Sequence, residues 1–324
     1  MYGRMQFADY IVSYALQSLT RCLLRLRDRE AQFPGSDGRM LAQQAQQLLS
    51  LWQMMQWSVG RLQHDSARRD LREIIALCDS MEALELRGAR LLLRSRVERE
   101  PADDERKEHG ESSVSAAKLD LDAFMAAFEL PPHTGTTAAM RDRLSSLLQA
   151  ESARWRDYQG LRQVADADLI EHGMVRAFER AGKLAPQLDE ISARGEPPAR
   201  KRLLRTHRWL CHCTNHLELL RPALSEAGRT RRWHLARLSA KVEDQLELEA
   251  FALAAARFGF KSKAAARLAK AVHRERRHLA KQRSKLRVGA FAAGPEAYRS
   301  EVTEAVGQLG LHEITLLPLE PRAG

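Results

Sequence analysis

Seven basic residues, Lys263, Arg267, Lys270, Arg274, Arg277, Lys281 and Lys285, recur at steps of three and four. At 100° per residue they fall within about 40° of one line, so a helix over 262–288 would carry one continuous cationic face. Leu268, Val272, Leu279 and Leu286 fall opposite, where a core-facing stripe belongs, and Glu275 is the only acid in the segment. Such a row repels itself by roughly a few tenths of a kcal/mol per adjacent pair. It therefore needs acidic neighbours or a bound polyanion. Segment 198–223 repeats the design: Lys201, Arg205, Arg208, His212 and His216 share one face, and Leu203, Leu210, Cys213, Leu217 and Leu220 the other. His207, His212 and His216 would add charge at mildly acidic pH. Arg237 and Lys241 follow on the next predicted helix. If these rows converge on a groove, their guanidinium and ammonium donors would hold phosphate oxygens. The candidate polyanion-binding set is thus Lys201, Arg205, Arg208, Arg237, Lys241, Arg267, Lys270, Arg274, Arg277, Lys281 and Lys285.

Other chemistry finds less support. Cys211, His212, Cys213 and His216 cluster locally, but Cys211 and Cys213 would point about 200° apart on a helix. His207 with Cys211, or His212 with His216, could form a two-ligand clip, yet no distant second pair completes a metal site. No phosphate-binding glycine loop, nucleophile elbow or HExxH occurs. The reading assigns no catalytic residue, metal or cofactor. Glu243, Asp244, Glu247 and Glu249 read as counter-charges to the basic helices. Trp52, Trp57, Met54 and Met55 read as core, and Trp209 and Trp233 as helix packing rather than base-stacking platforms.

The elements that must position these residues are helices. Aromatics make up 6% of 324 residues, a composition poor in strand formers. Proline and glycine punctuate the chain at 34–38, 131–132, 195–198, Gly228 and 294–295. Between them helical periodicity predicts helices near 5–30, 38–63, 66–98, 118–128, 136–158, 166–194, 198–223, 229–258, 262–288 and 295–308. Pro186 should kink or shorten the sixth. Segment 99–117 is polar and reads as a linker, and 311–324 as a tail. Helices 5–30 and 38–63 match 166–194 and 198–223 in layout, each pair followed by a helix opening on paired arginines, Arg68-Arg69 and Arg231-Arg232. LCDSMEALEL can be laid on VEDQLELEAF, which pairs Glu82 with Glu247. This predicts an all-α fold of two antiparallel helical bundles related by a pseudo-two-fold, an N-terminal one over about 1–160 and a basic C-terminal one over about 165–308.

Charge follows the same division. Residues 1–199 hold 27 basic and 30 acidic side chains, residues 200–299 hold 24 and 8, and the remainder 1 and 4. The net +10 therefore belongs to one third of the chain and points to an anionic partner. Four cysteines are too few for a secreted disulfide scaffold. With no apolar run of about 18 residues and no signal-peptide pattern, a cytoplasmic protein without a membrane span is expected.

The stretches LIEHGMVRAFERAGKL, RKRLLRTHRWLCHCTNHLELLRPAL, HLARLSAKVEDQLELEAF and RERRHLAKQRSKLRVGAFAAGPEAYRSEV resemble the CHAD family, the conserved-histidine α-helical domain. The resemblance spans about 1–310 and is strongest over 166–308. It implies binding of inorganic polyphosphate and, by association, storage granules. The chain departs from the pattern: Gln43, Gln44, Gln46 and Gln47 stand where the N-terminal copy is usually basic. Leu204 falls at the histidine position and Cys211 where a Lys is usual. Two alternatives follow: a degenerate scaffold for a protein partner, using the Gln-rich helix 40–48 and segment 52–57, or non-specific nucleic-acid binding through the same basic helices.

Overall fold

The computed structural model describes residues 6–28, 36–79, 84–97, 138–157, 164–258, 260 and 262–309. The polar linker 99–117, the predicted helix 118–128, Glu82 and the tail 311–324 lie outside these residues. Every regular element among the described residues is helical. In chain order they are α1 (Phe7–Arg27), α2 (Ser36–Met54), α3 (Arg61–Asp79), α4 (Leu84–Val97) and α5 (Ala138–Asp157). A short α turn (Asp166–Asp168) and a π-helical segment (Leu169–Val175) lead into α6 (Arg176–Ala193). Then come α7 (Arg200–Leu219), a 3-10 turn (Arg221–Ala223), α8 (Glu226–Arg257), α9 (Ser262–Phe291) and α10 (Gly294–Leu309). No helix among the described residues is long and apolar enough to cross a membrane.

Several boundaries differ from the periodicity, among them that of the predicted helix 66–98, which the structure describes as α3 up to Asp79 and α4 from Leu84. The predicted helix 38–63 stops at Met54, and α3 starts afresh at Arg61. Between them Met55 and Val59 turn inward, and the Val59 amide bonds back to the Met55 carbonyl at 3.1 Å. The buried positions continue smoothly across this turn, so the pattern looks unbroken although the backbone is not. Pro186 does not end its helix, which runs on to Ala193. The stop comes at Gly195, whose φ of 77° lies in the left-handed region that suits glycine. Ser225 caps α8 by accepting from the Gly228 amide at 3.2 Å.

One hydrophobic core runs from Phe7 on α1 to Leu309 on α10 and includes Trp52, Trp155, Phe178 and Tyr298. A second, smaller core joins Ala89, Leu91 and Leu92 of α4 to Leu248 and Phe251 of α8 and to Leu268, Val272 and Leu279 of α9. So α4, which the sequence assigns to the first half, packs on helices of the second. Gly88 makes that crossing close: a Cβ there would collide with the Glu247 carbonyl oxygen. Within the first half α2 packs on α3 and α1 on α5; within the second, α7 packs on α6 and α8, and α9 on α8 and α6. The halves also meet where α2 packs against α7.

Trp52, Met54 and Met55 are wholly buried, as core residues should be, and therefore offer no surface to a protein partner. Trp57 and Trp233 depart from the core reading, at 41% and 50% exposed. Trp233 instead lies under the Arg237 guanidinium, 5.5 Å from its ring centroid.

Candidate polyanion-binding cleft

The meeting of α2 and α7 is held by polar contacts around Ser50. His212 Nδ1 lies 3.0 Å from Ser50 Oγ, and Asn215 donates to the same oxygen at 2.9 Å. His216 Nε2 donates to the Ser50 carbonyl at 3.0 Å. Burial holds both imidazoles below their ordinary pKa, His216 at about 4; for His212, His216 and the arginines 208, 68 and 72 add to the shift. The expectation that these two histidines supply charge is thus corrected: they face α2 rather than water, and stay neutral.

Beside this contact, residues of α2, α3, α6 and α7 line a cleft of about 910 Å³. From α7 come Arg200, Lys201, Arg205 and Arg208. Arg68 and Arg72 face them from α3, and Arg180 enters from α6. These seven cations meet no carboxylate on the cleft wall. Nor does any of them form an ion pair with another described residue. The floor is α2 and the turn after it, with Gln46, Leu49, Trp52, Gln53 and Gln56. Trp209 lines the cleft under Arg180, whose guanidinium sits 4.7 Å above its ring.

Burial, and after it like charge, bears on three of these arginines. Burial, then Arg68 and Arg208, hold Arg72 below the ordinary arginine value. Burial and Arg68 do the same to Arg208, and burial, Arg176 and Arg205 to Arg180. Arginine keeps its proton in proteins, so the cleft holds a positive field with no carboxylate among its lining residues. A bound anion would relieve it, and guanidinium forks match phosphate oxygens in pairs.

Of the residues predicted from sequence, the structure brings Lys201, Arg205 and Arg208 into the cleft and leaves the others outside it. Lys241 is paired with Asp244 at 2.6 Å. Arg237 is exposed beside Trp233. Arg267, Lys270, Arg274, Arg277, Lys281 and Lys285 run along the outer face of α9. The physical reason lies on the opposite stripe: Leu268, Val272 and Leu279 dock in the smaller core against α8, which turns the charged row to solvent. The partner row that sequence reasoning sought on 262–288 is supplied by α3. Arg68 had a signal, as half of the repeated arginine pair. Arg72, Arg180 and Arg200 had none, since their register toward one cleft is set by helix packing.

The acids 243–249 act as counter-charges. Glu249 accepts from Arg276 Nε at 2.9 Å, and Arg87 Nε lies 3.3 Å from Glu247. Among the described residues no group of three or more His, Cys, Asp or Glu could hold a metal ion. No family model, curated protein or solved structure matches the chain.

Proposed function

We propose that this chain is a non-catalytic polyanion-binding protein whose ligand is inorganic polyphosphate. One observation carries the reading: the cleft gathers seven Lys and Arg side chains from three helices with no carboxylate among its lining residues. Binding would proceed by ion pairing and counterion release, steep in salt and tolerant of sequence-like detail, as for nucleic-acid backbones. The resemblance to the CHAD family favours polyphosphate over other polyanions. We read the helices accordingly as two CHAD-like bundles with a pseudo-two-fold. The contact of α2 with α7 supports this, since these are the second helices of the two repeats.

The test is a salt titration of polyphosphate affinity on the full chain. Combined Arg68→Glu, Arg72→Glu and Arg208→Glu should abolish binding while helicity is retained. Combined Arg274→Glu, Arg277→Glu and Lys281→Glu should leave it nearly unchanged. The opposite pattern would sink the cleft as the site. A second reading, non-specific nucleic-acid binding, is favoured by the exposed cationic row of α9. Competition between polyphosphate and duplex DNA at moderate salt separates the two.

A further inference from the structure

Cys211 and His207 lie off the cleft, on the part of α7 that packs toward α8. Cys211 Sγ stands 3.5 Å from Nε2 of His207, one turn earlier, and 3.3 Å from Ser239 Oγ on α8. The same His207 nitrogen lies 3.9 Å from Glu243 Oε2. Glu247 sits one turn further along α8, and Arg87 of α4 reaches both carboxylates, at 3.9 Å and 3.3 Å. Thiol, imidazole and carboxylates thus come from two helices, with a guanidinium from a third behind them. The group is not sealed: the Glu243 side chain is 46% exposed and that of His207 26%, and Cys211 is partly exposed.

We propose that Cys211 is a modification site, a thiolate paired with the His207 imidazolium, which hydrogen peroxide oxidises to sulfenic acid. The thiol passes its proton to the ring, and the ring cation then lies between sulfur and carboxylate. Burial opposes a charge on the ring, but Cys211, then Glu243 and Glu247, outweigh it and raise His207 to about 9. Burial likewise opposes the thiolate, and His207 and the Ser239 hydroxyl overcome it. In the reaction the sulfur attacks one peroxide oxygen, the S–O bond forms and the O–O bond breaks. The departing hydroxide takes the His207 proton and leaves as water. Sulfur loses two electrons and peroxide gains them.

The other three cysteines are internal controls. Cys22, Cys78 and Cys213 are buried, and burial pushes Cys22 up to about 12 and Cys213 higher. The experiment treats the full chain with hydrogen peroxide and dimedone and maps the adducts by mass spectrometry. Cys211 should be trapped at least about tenfold faster than any other cysteine. Iodoacetamide alkylation followed against pH should give a midpoint for Cys211 below that of an ordinary thiol. His207→Gln should raise that midpoint and slow alkylation at pH 7 by about tenfold, and Glu243→Gln should raise it less. Trapping of Cys211 no faster than Cys213, or a wild-type midpoint at the ordinary thiol value, would overturn the proposal. The wild-type profile decides the matter even if a variant fails to fold.

Discussion

His216 on α7 donates its Nε2 proton to the main-chain carbonyl of Ser50 on α2 across 3.0 Å, with both residues wholly buried. This bond joins the two halves of the chain at the inner end of the cationic cleft. The imidazole that makes this contact is buried, and burial disfavours its charged form even though the bond to Ser50 would persist in an imidazolium.

A pH dependence of stability follows. The ordinary histidine pKa is about 6.5, and folding depresses that of His216 to about 4. Between these values the unfolded chain binds a proton that the native state does not, so stability falls as pH drops from about 6.5 toward about 4. His212, depressed as well, adds to the slope. Chemical denaturation at pH 7.5, 6 and 5 should show a falling midpoint. His216→Gln, which keeps a donor for Ser50, should flatten it. A wild-type midpoint constant over this range would contradict the account.

Glu151 organises the N-terminal half. Its carboxylate is buried, accepts from the indoles of Trp52 and Trp155, and takes an Arg154 guanidinium bond at 2.6 Å. Arg154 also pairs with Asp70 on α3. Replacing Glu151 with Leu strands two indole donors and one side of Arg154, and should cost about 3 kcal/mol. Glu151→Gln keeps an acceptor and should cost less. Equilibrium urea unfolding measures both.

Gly88 tests the crossing of α4 over α8. A methyl group there meets main-chain atoms of Glu247 and the Phe251 Cβ, none of which can swing aside. Gly88→Ala should destabilise by about 1–3 kcal/mol through overpacking, although alanine is the better helix former. Unchanged thermal stability would mean that α4 does not press on α8 as described.

Single cleft cations should each register in the salt dependence of binding. Arg208→Gln should weaken polyphosphate binding and reduce the slope of log affinity against log salt by about one, by analogy with phosphate contacts in nucleic acids. Arg274→Gln, on the outer face of α9, should leave the slope unchanged. Equal effects of both substitutions would mean that the anion does not distinguish the cleft from the exposed row.

Much of the secondary structure was legible in the residues themselves. Leu268, Val272 and Leu279 lie on the stripe opposite the cationic row of α9, and the structure buries them. Leu203, Leu210, Cys213 and Leu217 are likewise buried on α7. Periodicity reports such faces because burial of one side of a helix repeats with its turn. The break between α2 and α3 was hidden, since Met55 and Val59 keep the apolar spacing while the backbone turns.

By itself the sequence determined an all-helical chain, the helices that carry cationic faces, and a basic excess in residues 200–299. Tertiary structure alone decided which cations share a site. Arg68, Arg72 and Arg180 are far from Arg208 along the chain, and no local pattern links them. They meet because α2 packs on α7 while α3 and α6 flank the opening. The larger row of α9 stays outside because its own apolar stripe is buried against α8. A helix face can be read from spacing, since it depends on one backbone; a cleft depends on the register of several, which is set by packing between them.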